Sequence, residues 1–200
     1  MEMVERLTAV AGSMFSGKST EVFRLIDRAE HAGRQVQLFK PRLDDRWGKV
    51  DKVITHAKDE RDALAVKSAE EILENVDPDV RLIAIDEVQF FDEKIVDVVK
   101  ELLDRDIEVI VAGLPLDFRG EPFGQMPTLL AMADDITRLT AICKFADNGE
   151  ICGNDATRTQ RIIEGMPASY NDPIVLIGAE ESYEARCPNH HIVPDRPSNK

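Results

Sequence analysis

What the chain lacks narrows its possibilities first. No apolar run approaches the ~20 residues that a membrane-spanning helix requires, and Met1-Glu2-Met3-Val4-Glu5-Arg6 does not have the basic-then-apolar pattern of a secretory signal. Cysteine is scarce and odd in number, three in 200 residues. That argues against a disulfide framework and makes a reducing cytoplasm the expected compartment. Positive charge is in deficit, 25 Lys and Arg against 38 Asp and Glu, for a net −13. With no basic field to offset phosphates, a nucleic-acid polymer is not the expected partner, and no membrane association is expected either. Apolar residues make up 43% of the chain, enough for a sizeable core. The length suits one ordinary domain, or one domain with a small appendage.

Against that background one stretch stands out. Gly12, Ser13, Met14, Phe15, Ser16, Gly17, Lys18 and Ser19 fit G-x-x-x-x-G-K-[ST], the loop that cradles nucleotide phosphates. Leu7-Thr8-Ala9-Val10-Ala11 before it reads as a buried strand. Val22, Leu25, Ile26 and Ala29 after it recur at helical spacing, and Gly33 stands where a C-cap belongs. The glycines allow close backbone approach, and the helix N-terminus adds partial positive charge. The motif predicts that Lys18 reaches the β/γ-phosphates of a nucleoside triphosphate and that Ser19 ligates Mg²⁺.

A second informative run is Leu82-Ile83-Ala84-Ile85-Asp86-Glu87, a β-branched strand ending in two acids. Asp86 is placed to hold Mg²⁺ opposite Ser19, and Glu87 to take a proton from whatever attacks the γ-phosphate. Gln89, Phe90 and Phe91 follow, the aromatics readable as core or as ligand surface. Gln35-Val36-Gln37-Leu38-Phe39 and Ile107-Glu108-Val109-Ile110-Val111-Ala112-Gly113 read as further strands. Asp92 reads as the N-cap of a helix bearing Ile95, Val98, Val99, Leu102 and Leu103, and Ser68 with Glu71 as a capping box. Strands alternating with helices imply parallel βαβ units with ligands at the strands' C-terminal ends. Residues 42–67 read as a long polar connection in which Asp44, Asp45, Arg46, Thr55 and His56 could face a site. The LPLDFRGEPFG stretch, residues 114–124, reads as a loop at the same edge, where Arg119 could meet phosphoryl charge. A helix over 128–133 and a strand over 136–141 close the layer.

From residue 142 the grammar changes. Cys143, Cys152 and the C-x-x-H of Cys187 and His190 match a structural zinc site, with His191 a competing ligand and free thiols the plain alternative. The eight residues between Cys143 and Cys152 are too many for an ordinary knuckle. Asn148-Gly149 favours a hairpin turn that would bring the thiols back together. Residues 157–163 and 174–177 read as strands, and 192–200 as a mobile tail.

The motifs resemble the thymidine kinases of the zinc-containing cellular class. They are GSMFSGKST (12–20), DEVQFF (86–91), GLPLDFRGEPFG (113–124), CGNDATRTQR (152–161) and ESYEARCPNHH (181–191), in the family's order and across nearly the whole chain. The resemblance implies a P-loop (RecA-like) α/β unit, a parallel sheet with flanking helices over 1–141. It adds a small β-rich zinc-binding and lasso unit over 142–191 and a tail over 192–200. It implies Mg²⁺-dependent transfer of the ATP γ-phosphate to the 5′-hydroxyl of thymidine or deoxyuridine, with Glu87 as general base. The ATP site would comprise residues 12–20, ending in Thr20, with Asp86 and Gln89. Met14, Phe90, Leu114, Phe118 and Phe123 match positions lining the nucleoside pocket. Thr159 falls where the thymine methyl is met, Tyr183 lies in the closing lasso, and Asp44 and Arg46 match a D-x-R element near sugar and phosphates. Cys143, Cys152, Cys187 and His190 align with the zinc ligands, although the family's first pair is usually C-x-x-C. A cytoplasmic homotetramer and feedback inhibition by dTTP are further implications. A P-loop ATPase switch shares the phosphate motifs but has no need of the 114–124 loop.

Overall fold

Strand β1 (Leu7–Gly12) is apolar on both faces because the sheet around it is covered on both sides. The computed structural model of the protein describes residues 6–42, 50–54, 59–175 and 183–197. Within these, a seven-stranded sheet has the order β3-β4-β2-β5-β6-β1-β7. The members are β2 (Gln35–Pro41), β3 (Val50–Ile54), β4 (Glu60–Val66), β5 (Val80–Ile85), β6 (Glu108–Gly113) and β7 (Asp135–Leu139). All neighbours pair in parallel except β3, which runs antiparallel to β4 at one edge. Strand β6 separates strand β1, which leads into the loop of residues 12–19, from the acid-bearing strand β5.

The two-residue period sorts the core. Val10, Leu82, Ala84, Ile110 and Ala112 face helix α1 (Lys18–His31), whose Val22, Phe23, Ile26 and Ala29 form one apolar stripe. Ala9, Ala11, Ile83, Ile85, Val109 and Val111 face the opposite way. There they meet α2 (Glu70–Glu74), α3 (Ile95–Asp104) and α4 (Met126–Met132) through Ile72, Ile95, Val99, Leu102 and Leu129. Burial of whole Ile, Leu and Phe side chains stabilises this layer by roughly 1.5–3 kcal/mol each. The parallel α/β class read from the sequence is the class observed.

Four local expectations need revision. Residues 42–67 are not simply a loop, for they contain β3 and β4. These strands carry Asp, Lys, Glu and Arg, and their pairing rests on backbone bonds at a sheet edge rather than on an apolar run. The α3 helix starts at Ile95 rather than just after Asp92, whose Oδ1 instead accepts the Lys94 N–H at 3.1 Å. Ile174 and Val175 lie in no strand; the partners of β12 (Arg158–Ile163) are β13 (Met166–Pro167) and β14 (Tyr183–Arg186). Of the 192–200 tail, residues 192–195 are tied down rather than loose, and 198–200 lie outside the described residues. Gln160 accepts the Ile192 N–H at 2.8 Å, Pro194 O accepts from Tyr170 N at 2.8 Å, and Asp195 accepts from Ser169 Oγ at 2.8 Å.

The Asn-Gly expectation holds in geometry. Between β8 (Ala141–Ile142) and β11 (Asp155–Ala156), the strands β9 (Ala146–Asp147) and β10 (Glu150–Ile151) form a hairpin. Its turn residues Asn148 and Gly149 have φ of 48° and 87°, the left-handed pair a tight hairpin turn needs. The extra residues are looped out.

Candidate active site

The chain leaves β1 through a tight loop in which Phe15 and Gly17 take φ of 66° and 85°. The loop wraps back so that Lys18, at the start of α1, donates from Nζ to Ser13 O at 3.0 Å. Lys18 is only 8% exposed, and burial pulls its pKa below the usual lysine range while the carboxylates of Glu87 and Asp86 oppose the shift. Across the sheet, Asp86 follows β5 directly. Its Oδ2 accepts from Ser19 Oγ at 3.2 Å and its Oδ1 from the Glu87 N–H at 2.9 Å. Burial, reinforced by the nearby Glu87 charge, pushes the Asp86 carboxyl up to about 6. Glu87 itself adopts φ 52°, ψ 38°, a left-handed conformation uncommon outside glycine. Strain of this kind concentrates at functional sites.

These groups surround one cavity of about 480 Å³, lined by Met14, Phe15, Gly17, Lys18, Ser19, Thr20, Asp86 and Glu87 and by Lys40, Lys52, Val53 and Ile54. The last four come from β2 and from the unexpected β3. Lys40 could have been anticipated, because it stands near the C-terminal end of a parallel strand. Lys52 could not, because its strand went unread. A cleft with a buried cation, two acids and a hydroxyl can bind a polyphosphate and poise a proton acceptor beside it. Ser19 and Asp86 are the side chains able to hold a divalent cation there.

The remaining site positions divide. Phe90 and Phe91, which the sequence left open, take different roles: Phe91 is core at 6% exposure, whereas Phe90 packs edge-on against Phe123 with ring centroids 5.3 Å apart. Met14 N–H donates to Thr159 Oγ1 at 3.1 Å, and Ser13 Oγ to Ala156 O at 2.9 Å, so the phosphate loop is bound to the C-terminal module. Leu114 N–H donates to Gln89 Oε1 at 3.0 Å. Phe118 is buried, with the guanidinium carbons of Arg119 and Arg161 5.5 and 5.2 Å from its ring centre. Tyr183 begins β14 opposite Arg161. Arg119 is not at the phosphate cavity; it stacks on Tyr170 at 4.7 Å and donates to Asp172 O at 2.8 Å. Gln89 is buried and is not among the residues lining that cavity. Asp44, Arg46, Thr55 and His56 lie outside the described residues. Sequence reading missed Gln160 and Arg161, which are nearly inaccessible and pin the segments around Ile192 and Pro173.

The four zinc-site candidates converge. Donor atoms of Cys143, Cys152, Cys187 and His190 all lie within 4.8 Å of one another. His190 Nδ1 is 3.7 Å from Cys143 Sγ and 3.4 Å from Cys187 Sγ, and the sulfurs of Cys152 and Cys187 are 4.0 Å apart. Bonds of ~2.3 Å to sulfur and ~2.0 Å to nitrogen around a tetrahedral ion require separations of about 3.5–3.8 Å, so three thiols and an imidazole fit zinc. Burial opposes ionisation of Cys143, yet hydrogen bonds from the backbone of Cys187 and Phe145 hold its thiol down to about 6, favouring the thiolate a metal takes. His191 is not part of the group; its Nε2 is 2.9 Å from Phe118 O.

A family model described as thymidine kinase matches residues 5–191. With that match spanning the phosphate loop, the acid pair and the Cys₃His group, the chain belongs to the thymidine kinase family.

Proposed function

We propose that the protein transfers the γ-phosphate of ATP to the 5′-hydroxyl of thymidine or deoxyuridine, giving dTMP or dUMP and ADP. The observation that carries this is the shared cavity of Lys18, Ser19, Asp86 and Glu87 in a chain of this family. The loop of residues 12–20 holds the triphosphate, with Lys18 on its terminal phosphates. Mg²⁺, held by Ser19 and Asp86 when bound with ATP, supplies charge neutralisation. Glu87 accepts the hydroxyl proton as the oxygen attacks, since an alcohol is a poor nucleophile until a base takes its proton. The rest of catalysis is alignment.

The acceptor is held by Met14, Phe90, Leu114, Phe118, Phe123 and Thr159, with Tyr183 in a segment closing over the base and Asp44 and Arg46 reaching sugar and phosphate. We assign 1–141 to the kinase unit, 142–191 to the zinc and lasso unit and 192–200 to the tail. Zinc on Cys143, Cys152, Cys187 and His190 staples the second unit when bound. A cytoplasmic homotetramer inhibited by dTTP completes the reading. No helix among the described residues is long and apolar enough to cross a membrane.

The test is a γ-labelled ATP assay across a nucleoside panel with wild-type protein and Glu87→Gln. Label on thymidine or deoxyuridine, lost by more than about 10²-fold in kcat for the variant, is expected. ATP hydrolysis with no labelled nucleoside would assign the site to a switch ATPase instead.

A further inference from the structure

Gln89 has no side-chain role in the reaction as drawn, yet it touches both halves of the acceptor site. It is 3% exposed. Its Nε2 donates to Glu87 Oε2, and its Oε1 accepts from the Leu114 N–H at 3.0 Å. The amide orientation is dictated by its partners, because an ionised carboxylate only accepts and a backbone N–H only donates. One side chain therefore bridges the acid beside the phosphate cavity and the first residue of the 114–124 loop.

The packing is built around this bridge. A Cβ on Gly113 would collide with Gln89 Oε1, and a Cβ on Gly124 would collide with the Gln89 carbonyl oxygen. Glycines thus stand at both ends of the loop, where the chain closes onto the same residue. The next residue, Phe90, meets Phe123 of that loop edge-on at 5.3 Å. Glu87, by contrast, sits in a left-handed backbone conformation ahead of a short 3-10 turn, Val88–Phe90. Its carboxylate needs a partner to fix its direction, and among the described residues Gln89 is the side chain that donates to it.

We propose that Gln89 is a positioning residue that locks the Glu87 carboxylate to the 114–124 loop, so that base and acceptor site move as one body. This rests on the reading of Glu87 as general base. Filling space would require only an apolar side chain of this volume; a buried amide with both ends engaged fixes direction as well. Displacement of a reacting group by ~1 Å can cost about 10²-fold in rate.

The test is steady-state kinetics with MgATP and thymidine for Gln89→Met, alone and combined with Glu87→Gln. Methionine keeps the length and removes both polar atoms. We expect kcat to fall about 10- to 100-fold in Gln89→Met with the KM for ATP within about twofold. On the Glu87→Gln background the same change should lower kcat by less than about twofold, because no base remains to be aimed. Equal losses on both backgrounds overturn the proposal and make Gln89 a packing residue. A wild-type kcat for Glu87→Gln alone overturns the base reading itself, a distinct outcome. Should Gln89→Met not fold, Gln89→Asn keeps a neutral amide but is one methylene too short to engage Glu87 and the Leu114 N–H together. It should lose kcat to a similar extent, and wild-type turnover in it overturns the proposal.

Discussion

Met14 and Thr159, 145 residues apart, are joined by a hydrogen bond from the Met14 N–H to the Thr159 hydroxyl oxygen at 3.1 Å. Thr159 lies in β12, which pairs with β14, and β14 leads to Cys187 and His190. The phosphate loop is thereby tied to the strand system that carries the Cys₃His group. The loop of residues 12–20 and the C-terminal module are mechanically continuous.

This tie predicts unequal effects of two small substitutions. Thr159→Val keeps the shape and leaves the Met14 N–H unpaired, so it should cost about 1–2 kcal/mol. Thr159→Ser keeps the oxygen and should stay within about 0.5 kcal/mol of wild type. Urea unfolding distinguishes them, and equal midpoints for the two variants would show that the bond contributes nothing.

Asp86 predicts a stability gain from damaging the site. Its carboxyl is raised from 3.8 to about 6, chiefly by burial, so between those values the folded state binds more protons than the unfolded chain. Stability from this group is present below pH 4 and is lost as pH rises through about 6. Two pKa units correspond to on the order of 3 kcal/mol. Asp86→Asn, without nucleotide or Mg²⁺, should therefore be more stable than wild type at pH 7.5, with the difference closing near pH 4. Thermal unfolding across that range checks the sign; a gain independent of pH would reject burial of the charge as its cause.

The metal group makes a prediction about neighbouring histidines. His190 Nδ1 lies among the thiols, while His191 Nε2 is engaged by Phe118 O. His190→Ala and Cys187→Ser should each lower bound zinc well below one per chain, whereas His191→Ala should keep it near one. Elemental analysis of purified protein decides this, and a full complement in Cys187→Ser removes that residue from the ligand set.

Gly149 has φ of 87° and open space around its Cβ position. Gly149→Ala should therefore act through backbone strain alone, costing about 1–2 kcal/mol. The looped-out hairpin lies between Cys143 and Cys152, so the variant should still load zinc. Loss of metal from it would mean that the turn sets the ligand geometry rather than merely accommodating its extra residues.

Local chemistry determined much of this protein. The phosphate loop, the acid pair after β5 and the Asn-Gly turn are contiguous residue patterns whose backbone needs are nearly self-contained, so their order along the chain announced the α/β class and the edge bearing the site. The four metal-site candidates were readable as residue types, and the hairpin closes Cys143 on Cys152, but Cys187 and His190 reach them only through the packing of β14. Tertiary structure decided the rest. The β3–β4 edge carries too much charge to read as sheet and is held by backbone pairing, and it is what brings Lys52 to the cavity. Which of Phe90 and Phe91 is core depends on what stands above the turn. His190 and His191 are adjacent and chemically alike, and only their directions separate the member of the Cys₃His group from the carbonyl partner. Gln89, Thr159 and Gln160 act through partners 25, 145 and 32 residues away. No local pattern encodes such bonds, because they exist only once the sheet, the 114–124 loop and the C-terminal module have closed on one another.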